Sequence, residues 1–215
     1  MFKRIKARYE CPNENPEGVQ EGLCPEEGDE VLSICGSGIL PLYLLSKVNR
    51  IWAIDNSRRQ IEIARYFMDC IEREDYHPLL ELTSPRGMKK GIFTRASLER
   101  TREKLEGLEL IEADLIDLPE SLKSQRYSKI YTSNAPTHSF TSRKLISSTL
   151  EELKKILRPG GLMYITRVNG AMREWFEKSE ELVEDCELTS KARELHGREK
   201  GYFPWKPVVY RKIAA

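Results

Sequence analysis

The sequence predicts an α/β domain with a mostly parallel sheet and helices on both faces. Three observations lead there. Short apolar runs rich in β-formers alternate with longer stretches whose apolar residues recur every three or four positions. A glycine loop stands directly between the first such run and the first of those stretches. The second run ends on an acidic residue about 20 positions after that loop.

The first stretch, residues 1–29, has no sustained period and is punctuated by Pro, Gly and Asn. It is expected to be an irregular N-terminal arm able to fold over a site, in front of a domain spanning 30–215. Tyr9 is the residue there best suited to touch a ligand; the alternative is a plain surface tyrosine.

Glu30-Val31-Leu32-Ser33-Ile34-Cys35 reads as a buried central strand. Gly36-Ser37-Gly38 stops it, and glycines there allow positive φ and close approach to bare backbone. Pro41 suits a first helical turn, and Leu40, Leu42, Leu44 and Leu45 give that helix its apolar side. Such a strand–loop–helix unit points unpaired N–H groups at whatever fills the loop. A tight turn that binds nothing is the competing reading. Arg50 to Asp55 is the second strand. Asp55, at its carboxyl end, suits a pair of vicinal hydroxyls, or else caps the helix that begins near Ser57. Loop and acid together favour a nucleoside.

A helix is expected over Ser57–Arg73, with Ile61, Ala64, Phe67, Met68 and Ile71 on the sheet and Gln60 on the opposite side. Residues 75–107 form an insert, helical near Ser97–Leu105 and otherwise loop-like, of a length often found in lids. Its basic residues (Arg86, Lys89, Lys90, Arg95, Arg100, Arg102) either attract an anion or form a solvated face. Strands follow at Leu108–Glu112 and Tyr127–Ser133, then a helix at Thr141–Leu157 closed by Arg158-Pro159-Gly160-Gly161. A fifth strand is expected at Leu162–Arg167, a helix at Asn169–Glu184, and strands at Cys186–Leu195 and Pro207–Ile213. With right-handed crossovers, the carboxyl ends of five strands bring Gly36–Gly38, Asp55, Asp114, Ser133-Asn134 and Arg167 to one rim.

The bulk properties narrow the partners. Of 215 residues, 32% are charged, yet the formal net charge is +1, so bulk charge does not call for a nucleic acid. The five cysteines are odd in number, and Cys35 and Cys70 fall in segments read as buried. Reduced thiols and a cytoplasmic location are expected. Cys11 and Cys24 have no CxxC or nearby His, so no metal is expected. Neither a signal peptide nor a membrane span is read from the sequence. The oligomeric state is left open, a homodimer included.

From Glu30 to Arg167 the order of parts resembles the class I S-adenosylmethionine-dependent methyltransferases: glycine loop, acidic end of the second strand, LIEADLIDLP, fourth strand, ILRPGGLMYIT. The resemblance implies a Rossmann-like fold with an antiparallel C-terminal strand and S-adenosylmethionine as cofactor. It places Cys35, Gly36, Ser37 and Gly38 under the methionine part and Asp55, with Asn56, at the ribose. Asp114 would take the adenine amino group and Leu115 would flank the ring, Asp114 being otherwise a turn residue. Ser133 and Asn134 complete the expected set.

The loop departs from that family. Ser33 stands where an acid is expected, and ICGSGILPL is similar to the loop of nicotianamine synthases, as Arg167–Arg173 is to the segment after their fifth strand. The Asp55-Asn56-Ser57 stretch with Gln60 and the long insert resembles the aminocarboxypropyl transferases of betaine-lipid synthesis. These resemblances imply transfer of the 3-amino-3-carboxypropyl group to a small-molecule or lipid acceptor, with release of methylthioadenosine. Methyl transfer is the alternative, and a non-catalytic module that binds the cofactor is the second. A nicotinamide enzyme fits less well, because Pro41 stands where the third glycine of GxGxxG belongs. An acceptor amine or hydroxyl must lose a proton. His138, after the fourth strand, is the candidate base, or else a loop histidine in water. Tyr9 and Tyr131 are weaker candidates. Arg167 either forks onto a carboxylate or ends its strand in solvent.

Overall fold

In a computed structural model, the structure describes residues 12–82, 91–138, 142–198 and 206–213, with the backbone alone for 137 and 138. Seven strands form one sheet in the order β3-β2-β1-β4-β5-β7-β6. They are β1 (Glu30–Ile34), β2 (Arg50–Asp55), β3 (Leu108–Glu112), β4 (Tyr127–Ser133), β5 (Leu157–Ile165), β6 (Leu182–Glu184) and β7 (Val208–Lys212). β1 to β5 run parallel, and β7 lies antiparallel between β5 and β6. Ile34 pairs with Ile54 at the ends of β1 and β2. This levels the two carboxyl ends, so the glycine loop and Asp55 emerge side by side.

Alternation along the strands sorts the core into two layers. Val31, Ile51, Ala53, Tyr131, Leu162 and Tyr164 face one side. There they meet α1 (Pro16–Leu23), α2 (Ile39–Leu45), α3 (Arg58–Glu72), α4 (His77–Leu80), α5 (Arg95–Glu103) and α10 (Cys186–Arg198). Leu32, Trp52, Ile54, Ile130, Met163 and Ile165 face the other. That side is covered by α6 (Glu120–Lys123), α8 (Arg143–Ile156) and α9 (Gly170–Lys178), with the short α7 (Ala135–His138) following β4.

Four expectations are corrected. The arm is not irregular throughout: Pro16 opens α1, and Asn15 caps it by accepting from the Glu17 N–H at 3.0 Å. The expected strand at Cys186–Leu195 is α10. Asp185 accepts from the Leu188 N–H at 3.0 Å, and buried Thr189, Ala192 and His196 recur at helical spacing. The expected helix at Asn169–Glu184 stops at Lys178 and gives way to β6. The Arg158–Gly161 segment ends α8 but is already part of β5, where the register shifts between Tyr127 and Lys129 and Gly160 adopts φ 77°.

In the insert, Leu79, Ile92, Phe93 and Leu98 join the core, and Thr101 Oγ1 donates to the Leu42 carbonyl at 3.2 Å. The described part of 75–107 is therefore packed structure. Arg95 and Arg102 pair with Glu99 and Glu74, while Arg86, Lys89 and Lys90 lie outside the described residues.

Gly38 is a packing constraint between α2 and α3. Its φ is 80°, and a Cβ there would sit 2.5 Å from the Ala64 Cβ. G38A is expected to cost about 3 kcal/mol through backbone strain and overlap, lowering the melting temperature by roughly 8 °C. G28A, where a Cβ meets nothing within 4 Å, is expected to stay within about 0.5 kcal/mol. Equal shifts in thermal melts of the two variants would contradict this packing account.

Candidate functional site

The carboxyl rim is organised by carboxylates that bind backbone. Asp55 Oδ2 accepts from the Gly36 N–H at 3.0 Å and its Oδ1 from the Ser57 N–H at 2.9 Å. Loop and helix approach are thereby fixed relative to each other. The capping reading of Asp55 is corrected: Ser57 is the N-cap of α3, and Asp55 closes the turn two residues before it. Gly36 holds φ 52° with open space where a Cβ would stand, so its backbone is bare on the cavity side. Further along the rim, Asp114 Oδ1 accepts from the Ile116 N–H at 3.2 Å and Oδ2 from Asn56 Nδ2 at 3.3 Å.

Between these groups and the end of β4 lies a cavity of about 380 Å³, within the range usual for small-molecule sites. Cys35, Gly36, Ser37, Asp55 and Asn56 line it from the first two strand ends, Asp114 from the third, and Ser133 and Asn134 from the fourth. Two expected residues do not. Gly38 is turned under Ala64. Leu115 is buried among Trp52, Ile54 and Leu118, because the Asp114 turn sends it inward and presents the next residue, Ile116, to the cavity. Gln60 is also corrected: it is buried and lines the cavity from the first turn of α3. Arg167 is exposed. His138 lies at the end of α7, one turn beyond Asn134, and its side chain, like Tyr9, lies outside the described residues.

The residue that sequence reasoning missed is Glu14. It is 3% exposed and closes the cavity beside β4. Its Oε1 accepts from Ser133 Oγ and from Thr166 Oγ1, the latter at 2.9 Å, and the Tyr131 hydroxyl bonds to it as well. Asn15 anchors this segment to α10: its Nδ2 donates to the Leu195 carbonyl at 3.1 Å and its N–H to His196 Nδ1 at 3.4 Å. Nothing local marks Glu14 in the sequence, since its partners lie 119 and 152 residues away. Ser133 itself has φ 54°, a conformation that a non-glycine residue holds at a cost of about 1–3 kcal/mol.

Burial pushes the Glu14 carboxyl up from its ordinary 4.5, against the opposing pull of its hydroxyl donors. Burial, with Asp55 adding to it, also raises the Cys35 thiol. Burial thus disfavours the thiolate of Cys35, which lines the cavity wall.

No family model matches the chain, and neither does any curated protein. Solved structures do resemble it. N-methyltransferase NodS from Bradyrhizobium japonicum WM9, in complex with S-adenosyl-L-homocysteine, superposes with TM-score 0.55 at 12% identity, over 92% of this chain and 85% of that one. An rRNA methylase from Streptococcus thermophilus gives TM-score 0.54 at 12% identity, over 93% and 94%. A precorrin 8w decarboxylase from Methanobacterium thermoautotrophicum gives 0.55 at 15%, over 100% and 97%. The chain has the class I methyltransferase fold. The glycine loop, Asp55 and Asp114 thus stand at the carboxyl edge of the sheet.

Glu14 gives the site a pH signature in stability. Its folded-state pKa is raised, so the stability contributed by its bound proton is fully present below about pH 4.5 and is lost as pH rises through the folded-state value. E14Q keeps an acceptor for Ser133 and Thr166 without a charge to bury. Its melting temperature is expected to match wild type near pH 4.5 and to exceed it by a growing margin as pH rises toward the folded-state value, levelling off above it. A difference that does not change with pH would contradict the buried-carboxyl account.

Proposed function

We propose that the cavity binds S-adenosylmethionine and that the chain is a transferase. The observation that carries this is the order of groups along the rim: Asp114 and Asp55 on one side, bare Gly36 backbone in the middle, Ser133, Asn134 and Glu14 on the other. The donor set fits the cofactor. Asp55 has acceptor capacity suited to two ribose hydroxyls. Asp114 and Asn56, with Ile116 as an apolar lip, suit the edge and face of an adenine. The positive-φ Gly36 leaves room for the sulfur-bearing chain.

When bound, S-adenosylmethionine supplies a sulfonium with three adjacent electrophilic carbons. The protein's part is to orient one of them toward the acceptor and to exclude water. We assign the aminocarboxypropyl carbon to that role. The support is Ser33: it is fully buried and its hydroxyl bonds to the Ile34 carbonyl at 2.9 Å, so β1 offers no acid to hold the amino-acid arm in the family's usual way. The ICGSGILPL resemblance points in the same direction. An acceptor nitrogen that attacks this carbon displaces methylthioadenosine, the carbon–sulfur electron pair leaving with sulfur, and sheds a proton, for which His138 is the proposed base. Methyl transfer is the second reading, supported by the likeness in fold to N-methyltransferase NodS and to an rRNA methylase. Among the described residues no helix is long and apolar enough to cross a membrane, and the acceptor is proposed to be a small molecule.

Incubation of the purified protein with S-adenosylmethionine and a small-molecule extract, with the nucleosides resolved by chromatography, decides between the two. Methylthioadenosine above the no-protein control is expected, reduced about 100-fold or more in H138A. S-adenosylhomocysteine in its place would overturn the assignment of the transferred group. Neither product would leave a binding module.

A further inference from the structure

We infer that Glu14 is the counter-charge for the ammonium of the cofactor's amino-acid arm, supplied by the N-terminal segment in place of an acid on β1. This rests on the reading of the cavity as an S-adenosylmethionine site.

Three observations converge. First, the first strand is silent: the Ser33 hydroxyl donates to the Ile34 carbonyl. Second, among the described residues the side chains that hydrogen-bond the Glu14 carboxyl are neutral hydroxyls, those of Ser133, Thr166 and Tyr131. Among the described residues no Lys, Arg or His lines the cavity, whereas Glu14, Asp55 and Asp114 do. A buried carboxylate without a cation is costly, and a cationic ligand removes that cost. Third, the placement is directional. Asp55 and Asp114 occupy the β2 and β3 ends, and Glu14 lies past Gly36 at the β4 end. A nucleoside over the first pair sends the amino-acid arm across the glycine loop toward Glu14.

The consequence concerns which carbon reacts. An arm held by its ammonium on the β4 side is drawn away from β1. Its γ carbon is then turned toward the Ser133-Asn134 end of the cavity, where an acceptor would enter. The segment that provides Glu14 is fixed by Asn15 to α10 and by α1 to the sheet. Gly22 of α1 lies so close to the Tyr164 ring that a Cβ there would meet it at 2.6 Å.

The test is calorimetric binding of three nucleosides to wild type and E14Q. S-adenosylmethionine carries sulfonium and ammonium, S-adenosylhomocysteine keeps only the ammonium, and methylthioadenosine has neither. E14Q is expected to weaken the first two by about 10- to 100-fold and to leave methylthioadenosine within about twofold, which also shows that the variant is folded. Weakening of S-adenosylmethionine alone would overturn the inference by assigning Glu14 to the sulfonium. Equal weakening of all three would mean a structural role, and no weakening would make Glu14 a bystander. Wild type that binds none of the three would overturn the cofactor reading itself, and this inference with it.

Discussion

The site depends first on Asp55. One carboxylate accepts from the N–H of Gly36 and from the N–H of Ser57, and so fastens the turn after β1 to the turn after β2. The two strands arrive level because their register pairs Ile34 with Ile54. A charge-assisted bond to backbone is among the stronger polar contacts in a protein. Two of them on one side chain keep the Gly36 backbone open toward the cavity. With that turn held, α2 can begin at once, buried on nearly every side, with Gly38 pressed under Ala64.

The opposite wall is made in a different way. It relies on contacts between residues far apart in sequence, not on a local turn. α1 packs on α10 and β5, Asn15 pins the segment before it, and Glu14 is thereby delivered to hydroxyls at the ends of β4 and β5. The cavity thus has one wall set by strand register and one wall set by helix docking. The first follows from the pairing of neighbouring strands, whereas the second brings Glu14, from outside the sheet, to the cavity.

This division explains what was legible. β2, β3 and β4 emerge where their apolar runs end, and the glycine loop and Asp55 stand where local spacing puts them, because each is decided by a dozen neighbouring residues at most. Leu115 was expected at the cavity but is buried, with Ile116 there instead, because a turn, which has no period, decides which of two apolar neighbours faces inward. α10 was hidden because a short buried stripe of Thr189, Ala192 and His196 in a polar helix carries little hydrophobic pattern. Gln60 was misplaced for a related reason, since a buried polar residue at a helix start does not follow the apolar stripe. Glu14 left no trace at all, as its environment comes from residues more than a hundred positions away.

The account's central claim is the direction in which the ligand lies along the rim. The most direct measurement is a crystal structure of the protein with S-adenosylmethionine. The adenine is expected against Ile116 with its amino group at Asp114, the ribose hydroxyls at Asp55, and the ammonium within hydrogen-bond distance of Glu14. A cofactor lying the other way round, or an arm whose ammonium turns back onto the β1 loop and leaves Glu14 among its hydroxyls alone, would contradict it.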